Sequence, residues 1–365
     1  MGTRWKCYLT GTSGSSSAAG MVRHRPGSVL LIAAALVMIA TGSAGAECHY
    51  AGIFSRGISL ASGEFNLDKI PGVYARDYIY PPPEEVDYYK TRGFDLVRLP
   101  FLWGRVQPKL FGELDATELG RIQHFTAIAH ERCVRVILSP HNFGRYSIEG
   151  KVHRVGSAEV PNAAFADFWR RMAIAFKHQP NIFAFSLMNE PFDMEGTWPA
   201  AAQAGLDAIR KMDATRLVLA PGDQWSGAWS WRRFNDDFVL NDPAGRVIYE
   251  AHQYFDADHS GTYEKDYDQG MAYPSIGIDL VRPFVDWLHI HHASGIIGEF
   301  GVPNNDARWL EVINRLLPWL GRERVPWVYW AGGPWWGDYP LSAEPKNGSD
   351  APIMRVLTKY RADIP

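Results

Sequence analysis

Two glutamates in this chain close apolar runs of the kind that a sheet buries on both faces. Glu190 stands in Asn189-Glu190-Pro191 after the run Phe183 to Met188, and Glu299 follows Ile296-Ile297-Gly298. A parallel strand covered on both faces reads as a continuous apolar run, so a polar side chain at its C-terminal end calls for a reason. The pattern recurs along the chain. Arg98 lies near the end of the run Asp95 to Pro100, His141 and Asn142 follow Val136 to Pro140, His252 and Tyr254 end the run from Val247, and Trp330 ends the run from Trp327. Taken singly, each has a structural reading: Arg98 as a core ion-pair partner, the histidines as satisfied buried groups, Trp330 as packing. Taken together, two acids, an arginine and two histidines at one end of a set of strands have no use in a stable core. Two carboxylates facing each other across a cleft suit cleavage of a glycosidic bond. One is kept protonated to donate to the leaving oxygen, and the other is ionised to attack or to activate water.

Competing chemistries lack their parts. After residue 46 there is no Gly-x-Ser-x-Gly, no Walker-type loop, no Gly-x-Gly-x-x-Gly and no His-Glu-x-x-His. His289, His291 and His292 fall near the end of the helix that precedes the Glu299 strand, at the opposite face from the acids, where a solvated helix end is the better reading. Neither a metal nor a cofactor is expected.

The elements that must position these residues repeat at intervals of roughly 30 to 50 residues. The strands are predicted at Arg56–Leu60, Asp95–Pro100, Arg135–Pro140, Phe183–Asn189, Arg216–Pro221, Val247–Tyr254, Gly295–Phe300 and Trp327–Trp330. Helical stripes lie between them: Phe165, Phe168, Trp169, Met172, Ala173 and Phe176 share one face, as do Trp309, Val312, Ile313, Leu316, Leu317 and Leu320. Eight alternating units predict an α/β fold, a single-domain (β/α)8 TIM barrel, whose strand ends converge on one mouth. Residues 47–365 form the one catalytic domain of this reading.

The first 46 residues read as a leader and secretory signal peptide. Arg23 and Arg25 supply a basic start, Val29 to Ala40 an apolar stretch, and Ala44-Gly45-Ala46 a small-residue cleavage site. That stretch is too short to span a bilayer, so the product is expected to be secreted or periplasmic, with no membrane contact after cleavage. The four basic residues of the leader leave 33 basic against 40 acidic residues, a balance that argues against nucleic acid as a partner. Export permits a disulfide between Cys48 and Cys133; two buried thiols are the other reading. Aromatic residues make up 13% of the chain, more than a core of this size needs, so some of the rings are expected to line a binding surface.

The segments Phe94-Asp-Leu-Val-Arg-Leu-Pro100, His141-Asn142, Leu187-Met-Asn-Glu-Pro191, Glu250-Ala-His-Gln-Tyr254, Ile297-Gly-Glu-Phe-Gly301 and Val328-Tyr-Trp330 resemble glycoside hydrolase family five, a cellulase family. The resemblance covers nearly the whole chain after the leader. It implies Glu190 as acid/base and Glu299 as nucleophile, with Arg98 and Tyr254 holding the nucleophile. Asn189 would bond the sugar 2-hydroxyl, His141 and His252 would complete the polar floor, Asn142 would be among the substrate-binding and supporting residues, and Trp330 would be the stacking platform. It also implies a cis peptide at Trp330–Ala331. Pro221-Gly-Asp-Gln-Trp225 and Tyr254-Phe-Asp-Ala-Asp-His-Ser-Gly-Thr262 are similar to the endo-β-1,4-glucanase subfamily five, which adds Trp225 and Trp103 as sugar-stacking residues, with Trp335 and Trp336 beside them. The implied function is that of a retaining endo-β-1,4-glucanase acting as a monomer on β-glucan chains. The alternatives are another β-glycan hydrolase of the same fold, acting on mannan, xyloglucan or β-1,3-glucan, and a non-catalytic glycan-binding protein, which should have lost one of the two glutamates.

Overall fold

Eight parallel strands close on themselves in the computed structural model, which describes Cys48, Tyr50 and residues 56–360. They are β1 (Arg56–Leu60), β2 (Phe94–Phe101), β3 (Arg135–Pro140), β4 (Ile182–Ser186), β5 (Leu217–Pro221), β6 (Val247–His252), β7 (Gly295–Phe300) and β8 (Trp327–Gly332). Each pairs with its sequence neighbours, and β1 pairs with β8 to complete the ring. This is the expected (β/α)8 barrel. The leader and the cleavage site after Ala46 lie outside the described residues.

The strand boundaries shift where chemistry intervenes. β4 stops at Ser186 and β6 at His252, so Asn189, Glu190 and Tyr254 belong to the loops at the mouth rather than to the strands. β8 runs two residues beyond Trp330, through a cis Trp330–Ala331 peptide. One two-stranded element was not anticipated: Arg145–Ile148 and Lys151–Arg154 form an antiparallel hairpin beside the mouth. Its turn is Glu149-Gly150, both at positive φ, a geometry that suits tight hairpins.

The helical stripes bury as their spacing requires. Phe165, Phe168, Trp169, Met172 and Ala173 are buried on the helix Asn162–Ala175, and Phe176 just past its end is buried too. Helix Ala307–Arg322 buries all six residues of its stripe. These helix faces and the outward faces of the strands share one large apolar core, while Leu96, Ile137, Ala184, Leu219, Ile248, Ile296 and Val328 form a separate cluster. The inner cluster comes from alternate strand positions, as a filled barrel requires. Among the described residues no helix is long and apolar enough to cross a membrane.

Two contacts tie the barrel floor. Cys48 and Cys133 are joined in a disulfide just before β3. Arg56, at the start of β1, donates to the carbonyls of Arg92, Thr358 and Tyr360, linking the first strand to the last described residues. The histidines at the end of the helix Ile276–Ile290 lie at this end. His289 faces Glu323 at 3.5 Å and His291 stacks on Trp287.

Candidate active site

Glu190 and Glu299 meet at the barrel mouth. Pro191 disfavours the right-handed helical region for the residue before it, and Glu190 sits at a φ of 44°, a conformation that costs a non-glycine residue energy and recurs at functional sites. Both carboxylates are nearly buried, with 5% and 3% exposure. One oxygen of each lies within 4.8 Å of the other and of a nitrogen of His252. This trio is the one set of acid and histidine side chains among the described residues close enough to share a cation. Its members are already engaged by Arg98, Tyr254 and Glu250, and the positive charge of Arg98 opposes a second cation.

Glu299 is held from two sides. Arg98 Nη1 donates to Oε2 at 3.1 Å, and Tyr254 Oη donates to Oε1 at 2.7 Å. Arg98 also donates from Nη2 to Asn189 Oδ1 at 2.6 Å and approaches His141 Nε2 at 3.0 Å. His141 is therefore an acceptor, and burial, with Arg98 and His252 adding to it, holds its pKa well below the usual imidazole value. Asn189 accepts through its oxygen and lines the cleft.

Burial pushes Glu299 above the ordinary carboxylate value, Glu190 adds to the rise, and His252, Arg98 and Tyr254 oppose it. Two acids this close release their protons in steps that belong to the pair. Glu299 has the guanidinium and the phenol as donors, so the first negative charge settles there. His252 faces Glu190 Oε1 at 3.1 Å and Glu250 Oε1 at 3.4 Å. Burial works against its charge, but the three carboxylates outweigh it and raise its pKa to about 9.

The cleft runs past this pair on both sides. One arm is lined by Phe65, Leu67, Ile70, Tyr146, Val152 and Trp330, together with His141, Asn142 and Asn189. The other carries Phe192, Trp229, Arg233, Phe234 and His259, with His252 at its base. Trp225 and Tyr254 line both arms. Trp225 sits in a run of three left-handed residues, Gln224 to Ser226, pinned by its backbone N–H to Pro191 and stacked on Phe192 at 4.2 Å. The loop after Tyr254 folds around Asp256, whose carboxylate accepts from the backbone of Gly261 and Tyr263 and from the Ser260 hydroxyl.

Three of the expected stacking residues do not line the cleft. Trp103 is fully buried against Tyr146, Phe165 and Phe168, its indole N–H donating to Gln107, so it is core. Trp336 lies behind Trp330, edge-on to it, and stacks on Tyr339. Trp335 is exposed outside the cleft lining. The structure brings in residues the motifs did not single out. Trp229 is exposed in the second arm against His259, and Glu250 is wholly buried beneath the acids. Glu64 lines the first arm with Oε1 lacking a hydrogen-bond partner, and burial raises its pKa to about 7.

The profile of the cellulase family, glycosyl hydrolase family 5, matches residues 58–335. The chain belongs to that family. Its relatives agree: a probable endo-beta-1,4-glucanase B of Neosartorya fischeri is 34% identical over 344 residues, covering 92% of this chain and 98% of the relative. Among solved structures, Pseudomonas stutzeri endoglucanase Cel5A in complex with cellobiose is 39% identical with a TM-score of 0.79, covering 83% of this chain and 91% of that one. The endo-beta-1,4-glucanase Xac0029 of Xanthomonas axonopodis pv. citri is 37% identical with a TM-score of 0.79, covering 84% and 98%. This family 5 chain is thus a glycoside hydrolase.

Proposed function

We propose that the protein is a retaining endo-β-1,4-glucanase, with Glu299 as nucleophile and Glu190 as general acid/base. The supporting observation is the pair itself: carboxylate oxygens within 4.8 Å suit the short separation of retaining enzymes, about 5 to 5.5 Å, rather than the roughly 6.5 to 9.5 Å that an inverting enzyme leaves for water. In the first step a Glu299 oxygen bonds to the anomeric carbon as the bond from that carbon to the glycosidic oxygen breaks, and Glu190 gives its proton to that leaving oxygen. In the second, Glu190 takes a proton from water, the water oxygen bonds to the same carbon, and Glu299 departs. Arg98 and Tyr254 keep Glu299 charged and oriented, and the Asn189 amide is placed to donate to the 2-hydroxyl. Trp330 forms the platform beneath the cleaved sugar, and Trp225 a wall shared by both arms.

An open cleft on either side of the acids suits attack within a chain, and the β-1,4-glucan substrate follows from the relatives' activities. The Cys48–Cys133 disulfide and the export signal fit action outside the cytosol. A panel of soluble polysaccharides scored for reducing ends should favour β-1,4-glucan over mannan, xyloglucan and β-1,3-glucan. Azide tests the roles. On a cellooligosaccharide with an activated aryl leaving group, Glu190→Ala should lose about 10²–10⁴ in rate. Azide should restore its turnover and release the β-glycosyl azide. Glu299→Ala with azide should give the α-azide. An α-product from Glu190→Ala, or net inversion by the wild type, overturns the assignment.

A further inference from the structure

Glu250 is absent from the cleft walls and completely buried under them, yet it touches both cations of the site. Its Oε1 lies 3.3 Å from Arg98 Nε and 3.4 Å from His252 Nε2, and its Oε2 accepts from Ser186 Oγ at 2.5 Å. From there Arg98 reaches Glu299 at 3.1 Å and His252 reaches Glu190 at 3.1 Å. Acidic and basic side chains alternate along the whole path, from Glu190 through His252, Glu250 and Arg98 to Glu299. The neighbouring strand makes room for the middle member: a Cβ at Gly298 would lie 2.1 Å from Glu250 Oε1 and 2.6 Å from its Cγ. A carboxylate removed from water at this depth persists only if it is paired on every side.

We propose that Glu250 is a positioning residue for both halves of the reaction, holding the His252 ring against Glu190 and the Arg98 guanidinium against Glu299. The proposal rests on the roles given to those two acids above. With Nε2–H committed to Glu250, His252 presents Nδ1–H to Glu190 Oε1. That leaves Oε2 of Glu190 as the oxygen that carries the proton to the leaving group. The groups facing His252 are Glu250 on its own strand, Glu190 after β4, Glu299 on β7, Arg98 on β2 and the neutral His141 after β3. Burial opposes the charge on Glu250 as well, but Arg98, His252 and Ser186 hold its pKa below the usual carboxylate value.

The signs follow from the path. Without the negative charge at 250, His252 gives up its proton at lower pH, and its Nδ1–H is no longer fixed on Glu190 across the working range. Arg98, no longer shared, acts undivided on Glu299 and moves the acid limb of the activity profile down. Glu250→Gln keeps the shape and removes the charge. On unactivated cellooligosaccharides its kcat should fall about 10- to 100-fold with KM near the wild-type value. The acid limb of kcat/KM should shift acidward by about one pH unit. Nitrogen NMR of the His252 ring should find both nitrogens protonated at about pH 8 in the wild type and not in the variant. An unchanged acid limb with a uniform loss at every pH and a lower melting temperature would assign Glu250 to stability alone and overturn the proposal. If the variant does not fold, the wild-type spectrum decides, since a neutral His252 at that pH also overturns it. A wild type without glycosidase activity would sink the proposed function while leaving the NMR result to stand by itself.

Discussion

Two successive layers inside the barrel are built from the same strands and have opposite characters. The lower consists of Leu96, Ile137, Ala184, Leu219, Ile248, Ile296 and Val328, all apolar and nearly all fully buried. Two residues further along each strand, and so on the same inward face, stand Arg98, Ser139, Ser186, Pro221, Glu250, Gly298 and Trp330. Burial is much the same in both; what changes is whether a side chain must be paired. The lower layer fills space and tolerates any apolar group of the right volume. In the upper layer each charge depends on a named neighbour. The outward faces of the same strands keep the large helix-packed core intact, so the molecule can carry a charged layer without losing the apolar burial that stabilises it.

The contrast can be broken most severely at Arg98. Arg98→Ala strands two buried carboxylates and should cost about 3–5 kcal/mol of stability as well as nearly all activity. Chemical denaturation and steady-state kinetics would measure both losses; retention of either would mean that the upper layer is not a paired system. One layer down, Ile248→Ala should lose about 2–5 kcal/mol while kcat at 25 °C stays near wild type, and Trp103→Ala should behave alike because its indole is core. A selective loss of kcat in Ile248→Ala would show that the two layers are not separable. The smallest effect is expected at the cleft wall. Trp225→Ala should leave the melting temperature almost unchanged and raise KM for long cellooligosaccharides by about 2- to 10-fold, the scale of one lost stacking surface. A destabilised Trp225→Ala would reclassify that ring as packing.

The apolar runs made the eight strands legible, because a barrel strand covered on both faces needs no alternation and its polar end stands out. Arg98, His141, Asn142, Asn189, His252, Tyr254 and Trp330 were found in this way, and the structure gathers them around the two acids. Glu250 escaped for a physical reason. Mid-strand, two residues before His252, it reads as one acid in an apolar run, and only the ring closure shows that its side chain points inward at Arg98. The period of two linking it to His252 was the available signal. Indole rings were misjudged for a different reason: a tryptophan that packs and one that stacks on sugar have the same hydropathy, so sequence did not separate Trp103 from Trp225. What exposes Trp225 is a left-handed backbone run at non-glycine residues, and local propensity argues against such a run. The Glu149-Gly150 turn was a readable hairpin signal, with Ser147-Ile148 before it and Lys151-Val152 after, but its strands are only four residues each.

At the floor, Arg56 draws the last described residues of the chain onto the start of the first strand. An attachment made near residue 360, whether a solid support or an appended protein, would therefore sit on the side away from the acids. Immobilised by that end, the enzyme would keep its cleft directed outward, free to lie along a polymer that cannot diffuse to it.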